Sequence, residues 1–149
     1  MKDKPATGFY KASMAYFDGY TATGTLTYAW PMALEKARKA DEILRERLAD
    51  WKLQFDEIRT EFLGYDSCFG PRAQETCELN EVVLRVGVRS HDKAAIERFS
   101  RELAPLILTG PPSVTGFAGG RPKPMEVISY WPALVPKSMV TPRISVETI

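Results

Sequence analysis

The chain is short of the residues that build metal centres and short of net charge. One histidine and two cysteines among 149 residues leave little with which to assemble a zinc site, which draws three or four ligands largely from those residue types. Twenty Lys and Arg against nineteen Asp and Glu give a formal charge of +1. That balance lacks the concentrated positive footprint of proteins that bind duplex nucleic acid. No apolar run approaches the roughly 20 residues that span a bilayer, and the opening Met-Lys-Asp-Lys-Pro leads into no apolar segment of a secretory signal. These absences predict a cytoplasmic protein with neither membrane nor nucleic acid as partner. What is present is a 44% hydrophobic composition with three Trp, six Tyr and seven Phe, too apolar for a disordered chain. A chain of this length supports one core, burying about 68–70% of the surface that the unfolded chain exposes.

Cys68 and Cys77 match neither a C-x-x-C redox spacing nor a zinc spacing, and in a reducing compartment they read as two small buried hydrophobes. Cys68 follows the end of a predicted strand, where a reactive thiolate would need a neighbouring cation or a helix N-terminus. His91, in Arg89-Ser90-His91-Asp92-Lys93, falls where a strand hands over to a helix and reads as an exposed turn histidine.

Residues 1–19 show no sustained period, although Met14, Tyr16 and Phe17 suggest an arm that docks on something. From Tyr20 the pattern sharpens: Thr21, Thr23, Thr25 and Thr27 alternate with Ala22, Gly24, Leu26 and Tyr28, a strand with its apolar members inward. Pro31 suits the first position of a helix, whose buried stripe is Leu34, Ala37, Leu44, Leu48 and Trp51, widened by Ala40 and Ile43. Opposite charges four apart, Glu35 with Lys39, Arg38 with Glu42 and Asp41 with Arg45, mark its wet side. A second strand is predicted over residues 57–63, with Ile58, Thr60 and Phe62 on one face and Arg59 and Glu61 on the other. Gly64 ends it, and residues 65–78 form a loop. A third strand alternates Val82, Leu84, Val86 and Val88 with Val83, Arg85, Gly87 and Arg89. Asp92 caps a second helix with Ile96, Phe99, Leu103 and Leu106 inward, stopped by Pro105 and Gly110. Residues 110–124 are too rich in Gly and Pro for regular structure, and residues 125–131 resume as a strand.

This order predicts an α+β fold of the ferredoxin-like βαββαβ kind. Two helices cover one face of a four-stranded antiparallel sheet, with an extended Gly/Pro-rich segment attached. The other face offers Thr21, Thr23, Thr25 and Thr27 with Val83, Arg85, and Ile128 or Tyr130. The expected organisation is an N-terminal arm over 1–19, a ferredoxin-like domain over 20–140 with a loop at 110–124, and a tail over 141–149.

Gly24-Thr25-Leu26-Thr27-Tyr28-Ala29, then Ala33-Leu34-Glu35-Lys36-Ala37-Arg38 and Ala40-Asp41-Glu42-Ile43-Leu44-Arg45-Glu46-Arg47-Leu48, resemble the C-terminal part of the acyclic terpene utilisation family. Leu63-Gly64-Tyr65-Asp66-Ser67, Leu84-Arg85-Val86, Thr109-Gly110-Pro111 and Leu134-Val135-Pro136 extend the likeness over roughly residues 18–140. The resemblance implies a role in the breakdown of branched acyclic terpenoids through coenzyme A thioesters. A larger α/β region precedes this segment in the family, and the resemblance implies either a small subunit partnered by a larger polypeptide or a shortened relative that kept the C-terminal domain. Three departures bear on catalysis. Trp30-Pro31-Met32 stands where the family places glycines. Cys68-Phe69-Gly70 stands where an apolar residue and a histidine are common, and Pro112-Ser113-Val114 partly replaces a glycine run.

Two constellations carry the chemistry that the residues suggest. Asp66, Ser67 and Cys68 follow a strand end, where Asp66 could serve as a base and Ser67 as a hydrogen-bond donor; the same residues are ordinary turn formers. Gly116, Gly119, Gly120, Arg121 and Lys123 could cradle an anion such as the phosphates of coenzyme A. That stretch matches no phosphate-loop motif, and its prolines remove donors, so a loop packed against a neighbour is the competing reading. No metal or cofactor is expected in this chain; a coenzyme A thioester enters as substrate. The function expected is that of a small subunit in a cytoplasmic catabolic complex, of lyase or hydratase type, completing a larger catalytic chain in a hetero-oligomer. The alternative is a stand-alone homo-oligomeric ferredoxin-like protein that binds a small hydrophobic ligand.

Overall fold

The computed structural model describes residues 6–75, 77–116, 120–141 and 143–147. β1 (Phe9–Ala29) leads into α1 (Ala33–Asp50), β2 (Glu57–Leu63) and β3 (Glu81–Ser90). α2 (Lys93–Leu103), a single turn α3 (Leu106–Thr109), β4 (Val114–Thr115) and β5 (Met125–Pro136) complete the order. The sheet is antiparallel and has five strands instead of the expected four. Its order is β2-β3-β1-β4, with β5 also paired to β1.

The chain divides into two compact units. Asp18–Val127 forms one; the described residues up to Phe17, with those from Ile128 onward, form the other. In the first unit the alternation of β1 and β3 works as the sequence predicts. Ala22, Leu26, Tyr28, Val82, Leu84 and Val86 are sealed from water against Leu34, Ala37, Leu44, Ile96, Phe99 and Leu103 of the helices. The register pairs Thr21 with Arg89, Thr23 with Gly87, Thr25 with Arg85 and Thr27 with Val83, so the threonine row shares the uncovered face with the polar side of β3. Asp92 caps α2 by accepting the Ala94 N–H at 2.8 Å.

Several expectations change. β1 starts at Phe9, so residues 9–19 of the segment expected as an arm are strand. Their signal was hidden because apolar side chains occupy both faces, which erases polar-apolar alternation. Pro31 does not open α1. Met32 takes a left-handed backbone (φ 59°) as N-cap, and the helix begins at Ala33. Trp51 lies beyond the helix and is exposed, with the Arg98 guanidinium 3.5 Å from its ring centre. Leu106 is buried, but from α3, because α2 ends at Leu103 ahead of Pro105. Within the Gly/Pro-rich stretch, Val114 and Thr115 pair with Tyr28 and Thr27.

The second unit is a ribbon of two strands. Its partners run in opposite senses: the Lys137 N–H donates to Gly8 O at 2.9 Å, and Ser13 Oγ donates to Tyr130 Oη at 3.3 Å.

Candidate functional site

The uncovered face of the sheet in residues 18–127 collects the polar chemistry. Since β2 pairs Glu57 with Arg89, Arg59 with Gly87 and Glu61 with Arg85, three rows cross the sheet: Thr21-Arg89-Glu57, Thr23-Gly87-Arg59 and Thr25-Arg85-Glu61. Arg85 Nε donates to Glu61 Oε2 at 2.7 Å, and Arg59 Nη2 reaches Glu61 Oε1 at 3.1 Å. One carboxylate therefore serves two guanidinium groups. The Arg85 hydrogen bond is the first cause of the Glu61 pKa lying below its ordinary value. Arg89 pairs instead with Asp18, at 2.6 Å. Gly87 stands between these groups without a side chain, and a Cβ there would meet only Thr23 Oγ1, at 3.6 Å. A shallow hollow of about 340 Å³ results, lined by Thr21, Glu57, Arg59, Gly87, Arg89 and Val127 among others.

Asp66, Ser67 and Cys68 share a larger hollow of about 590 Å³ with Arg59, Thr60 and Glu61. The structure brings these three candidates together beside two charged residues of β2. Asp66 is already engaged: its Oδ1 accepts the Phe62 N–H at 2.7 Å, and its own N–H donates to Phe62 O at 3.0 Å. It thereby holds the turn after β2, while Ser67 and Cys68 are exposed. Cys68 and Cys77 are both free and exposed, against the expectation that they are buried. Neither belongs to the cluster of buried side chains that forms the core.

The second constellation stands apart. The strands on either side of it in sequence, β4 and β5, both pair with β1, whereas the 66–68 turn follows β2 at the opposite edge of the strand order. Gly116, Gly120, Arg121 and Lys123 are exposed, and Gly120 has a positive φ of 86°. Gly119 lies outside the described residues. Pro122 is buried in the middle of the segment.

His91 is exposed as expected and has an acidic partner that sequence reasoning missed: its Nδ1 lies 3.0 Å from Asp56 Oδ2, and its Nε2 lies 3.8 Å from Asp18 Oδ1. Among the described residues no cluster of three or more His, Cys, Asp or Glu side chains could hold a metal ion. None of the helices there is long and apolar enough to cross a membrane. Also missed were Arg59, Glu61 and Arg85 as a joint network. Their alternation was visible, but the cross-strand register that assembles them was not.

The ribbon unit has a different character. Phe9, Tyr10, Met14, Tyr16 and Phe17 are each 44–49% exposed, as are Ile128, Tyr130, Trp131 and Leu134 to 57–69%. By strand alternation Tyr10, Met14 and Tyr16 share one face and Phe9 and Phe17 the other. The Ser13–Tyr130 contact puts Ile128, Tyr130 and Leu134 on the side of Phe9 and Phe17.

The family described as acyclic terpene utilisation family protein AtuA matches residues 1–146. The chain belongs to that family. No curated protein matches the chain. Among solved structures, the de novo designed protein Ferredog-Diesel aligns at 20% identity over 67% of this AtuA-family chain and 86% of its own, with a TM-score of 0.38.

Proposed function

We propose that the chain is a small subunit of a catabolic complex of the acyclic terpene utilisation type. In this reading it completes a larger catalytic chain that acts on terpenoid or branched acyl coenzyme A thioesters. The role in terpene utilisation rests on family membership. The subunit reading rests on the ribbon. A two-stranded ribbon is marginal in water by itself, and this one presents large apolar side chains on both faces. Such contiguous apolar surface marks a protein contact, and Tyr, Trp, Phe and Met are the residues enriched at interface cores. The larger chain is the partner that would cover those faces.

The strand order β2-β3-β1-β4 supports reading residues 18–127 as a ferredoxin-like unit, with β4 beside β1 in the place of the fourth strand. Its uncovered face carries arginines and acids, which suit polar groups of a substrate or partner better than a free terpenoid. The test is purification of a tagged chain from its native cells. Stoichiometric co-elution with a larger chain, turnover of a branched acyl coenzyme A thioester that needs both, and loss of the association in Trp131→Asp support the proposal. A solitary chain that turns over the thioester alone overturns it.

A second reading, in which this chain contributes catalytic groups, is favoured by the hollow that Asp66, Ser67 and Cys68 share with Arg59 and Glu61. Ser67→Ala and Cys68→Ala in the assembled complex decide it: unchanged turnover in both removes them from the chemistry.

A further inference from the structure

Residues 9–17 of β1 read Phe-Tyr-Lys-Ala-Ser-Met-Ala-Tyr-Phe, nearly the same in either direction about Ser13. β3 lines β1 only over Tyr20–Ala29, and β5 takes one edge of the strand. Among the described residues no strand lines the other edge of residues 9–16. That edge carries a single lysine and no proline, so the usual devices that blunt a free edge are nearly missing.

We infer that two copies of this chain join edge to edge through residues 9–17 of β1, antiparallel and centred on Ser13. In that register Phe9 faces Phe17 of the second copy on one side of the joined sheet, and Tyr10 faces Tyr16 on the other. Aromatic pairs directly across an antiparallel ladder stabilise it. Lys11 falls opposite Ala15, so no like charges meet, whereas an in-register parallel pairing would set lysine against lysine. Sliding the antiparallel pairing by two residues in either direction keeps the faces but breaks the match, setting Tyr10 against Asp18 or against Met14. The palindrome therefore selects one register, and a two-fold axis makes the contact self-complementary and closed.

The aromatic contribution is modest. Eight rings, already half covered and each burying about 150–250 Å² at most, bring on the order of 600–1,000 Å² out of water. That is roughly half of a standard interface, so a concentration-dependent monomer–dimer equilibrium is expected instead of a permanent dimer. The contact uses the edge of β1 and leaves the ribbon faces available, so it stands independently of the larger chain proposed above.

Sedimentation equilibrium of the isolated chain tests it, with Ala15→Lys and Ala15→Glu as a pair. Ala15 is exposed, so both variants should fold, as circular dichroism will show. Ala15→Lys sets a second cation against Lys11 and should weaken the dimer at least tenfold; Ala15→Glu offers Lys11 an opposite charge and should hold or tighten it. Ser13→Cys, in a Cys68→Ser, Cys77→Ser background, should form a disulfide-linked dimer on mild oxidation. Residues that face each other across an antiparallel ladder have Cα atoms about 4.5–5.5 Å apart, within disulfide reach. A wild-type chain that stays monomeric at the highest attainable concentration overturns the inference. So does a dimer that Ala15→Lys leaves intact or that Ser13→Cys fails to link.

Discussion

The Leu103 side chain fills the space that a Cβ on Gly24 would occupy, and the Pro122 ring stands 2.8 Å from the same point. Gly24 is thus the place where α2 and the returning chain close down on β1. Leu103 is sealed from water and has nowhere to retreat, and a proline ring cannot swing aside. Gly24→Ala should lower stability by about 1–3 kcal/mol through overpacking. In urea the midpoint should fall with the slope unchanged. Combining it with Leu103→Ala should cost less than the two changes separately, because they share one space.

Tyr28 is wholly buried, and among the described residues its hydroxyl has no hydrogen-bond partner. Burial pushes its pKa up to about 12 from an ordinary 10.0. The unfolded chain loses this proton first, so the stability held by the neutral phenol is intact below pH 10 and drains away as pH rises through the folded value. Tyr28→Phe should flatten that alkaline loss and remove a phenolate absorbance step near pH 12. At neutral pH it should leave stability unchanged or raise it by up to about 1 kcal/mol, since an unsatisfied buried hydroxyl is lost.

The central elements were legible in the sequence because each had one wet and one dry side. Leu34, Ala37, Leu44 and Leu48 on α1, and Val82, Leu84, Val86 and Val88 on β3, are inward as their spacing indicates. Residues 9–17 were not legible, since aromatic side chains point to both faces and leave no contrast. β4 is two residues long, too short for any period to show. The charged network depended on register: nothing local to Glu61 says that Arg85, and not a neighbour on β2 alone, will lie across from it. Asp66 and Ser67 read as turn formers and as chemistry from the same letters, and the hollow around them is a property of how the loop returns over β2.

Asp66 holds the turn after β2 through the Phe62 N–H, whereas Ser67 and Cys68 are exposed beside it. Asp66→Ala should therefore cost about 1 kcal/mol, the net worth of an ordinary hydrogen bond. Ser67→Ala and Cys68→Ala should stay within about 0.5 kcal/mol of the parent, as surface substitutions do. Thermal unfolding of the three variants checks this, and alkylation of Cys68 in the native state should proceed without unfolding because the thiol is open to solvent.

Glu61 ties β2 to β3 by accepting from Arg85 at 2.7 Å, with Arg59 at 3.1 Å on its other oxygen. The Arg85 hydrogen bond is the main cause of a folded pKa below the ordinary 4.5, and desolvation works against it. A carboxylate that is more acidic in the folded chain stabilises the fold above its unfolded pKa, and that contribution is lost as pH falls through the folded one. Wild type should lose stability on acidification below about pH 4.5 more steeply than Glu61→Gln, which has no proton to take up. The two stabilities should converge at the acid end and separate at neutral pH, with wild type higher. High salt should narrow the neutral-pH gap, because the arginines are solvent-exposed and their attraction is screened. A gap that persists unchanged in both acid and salt would mean that Glu61 acts through packing and not through charge.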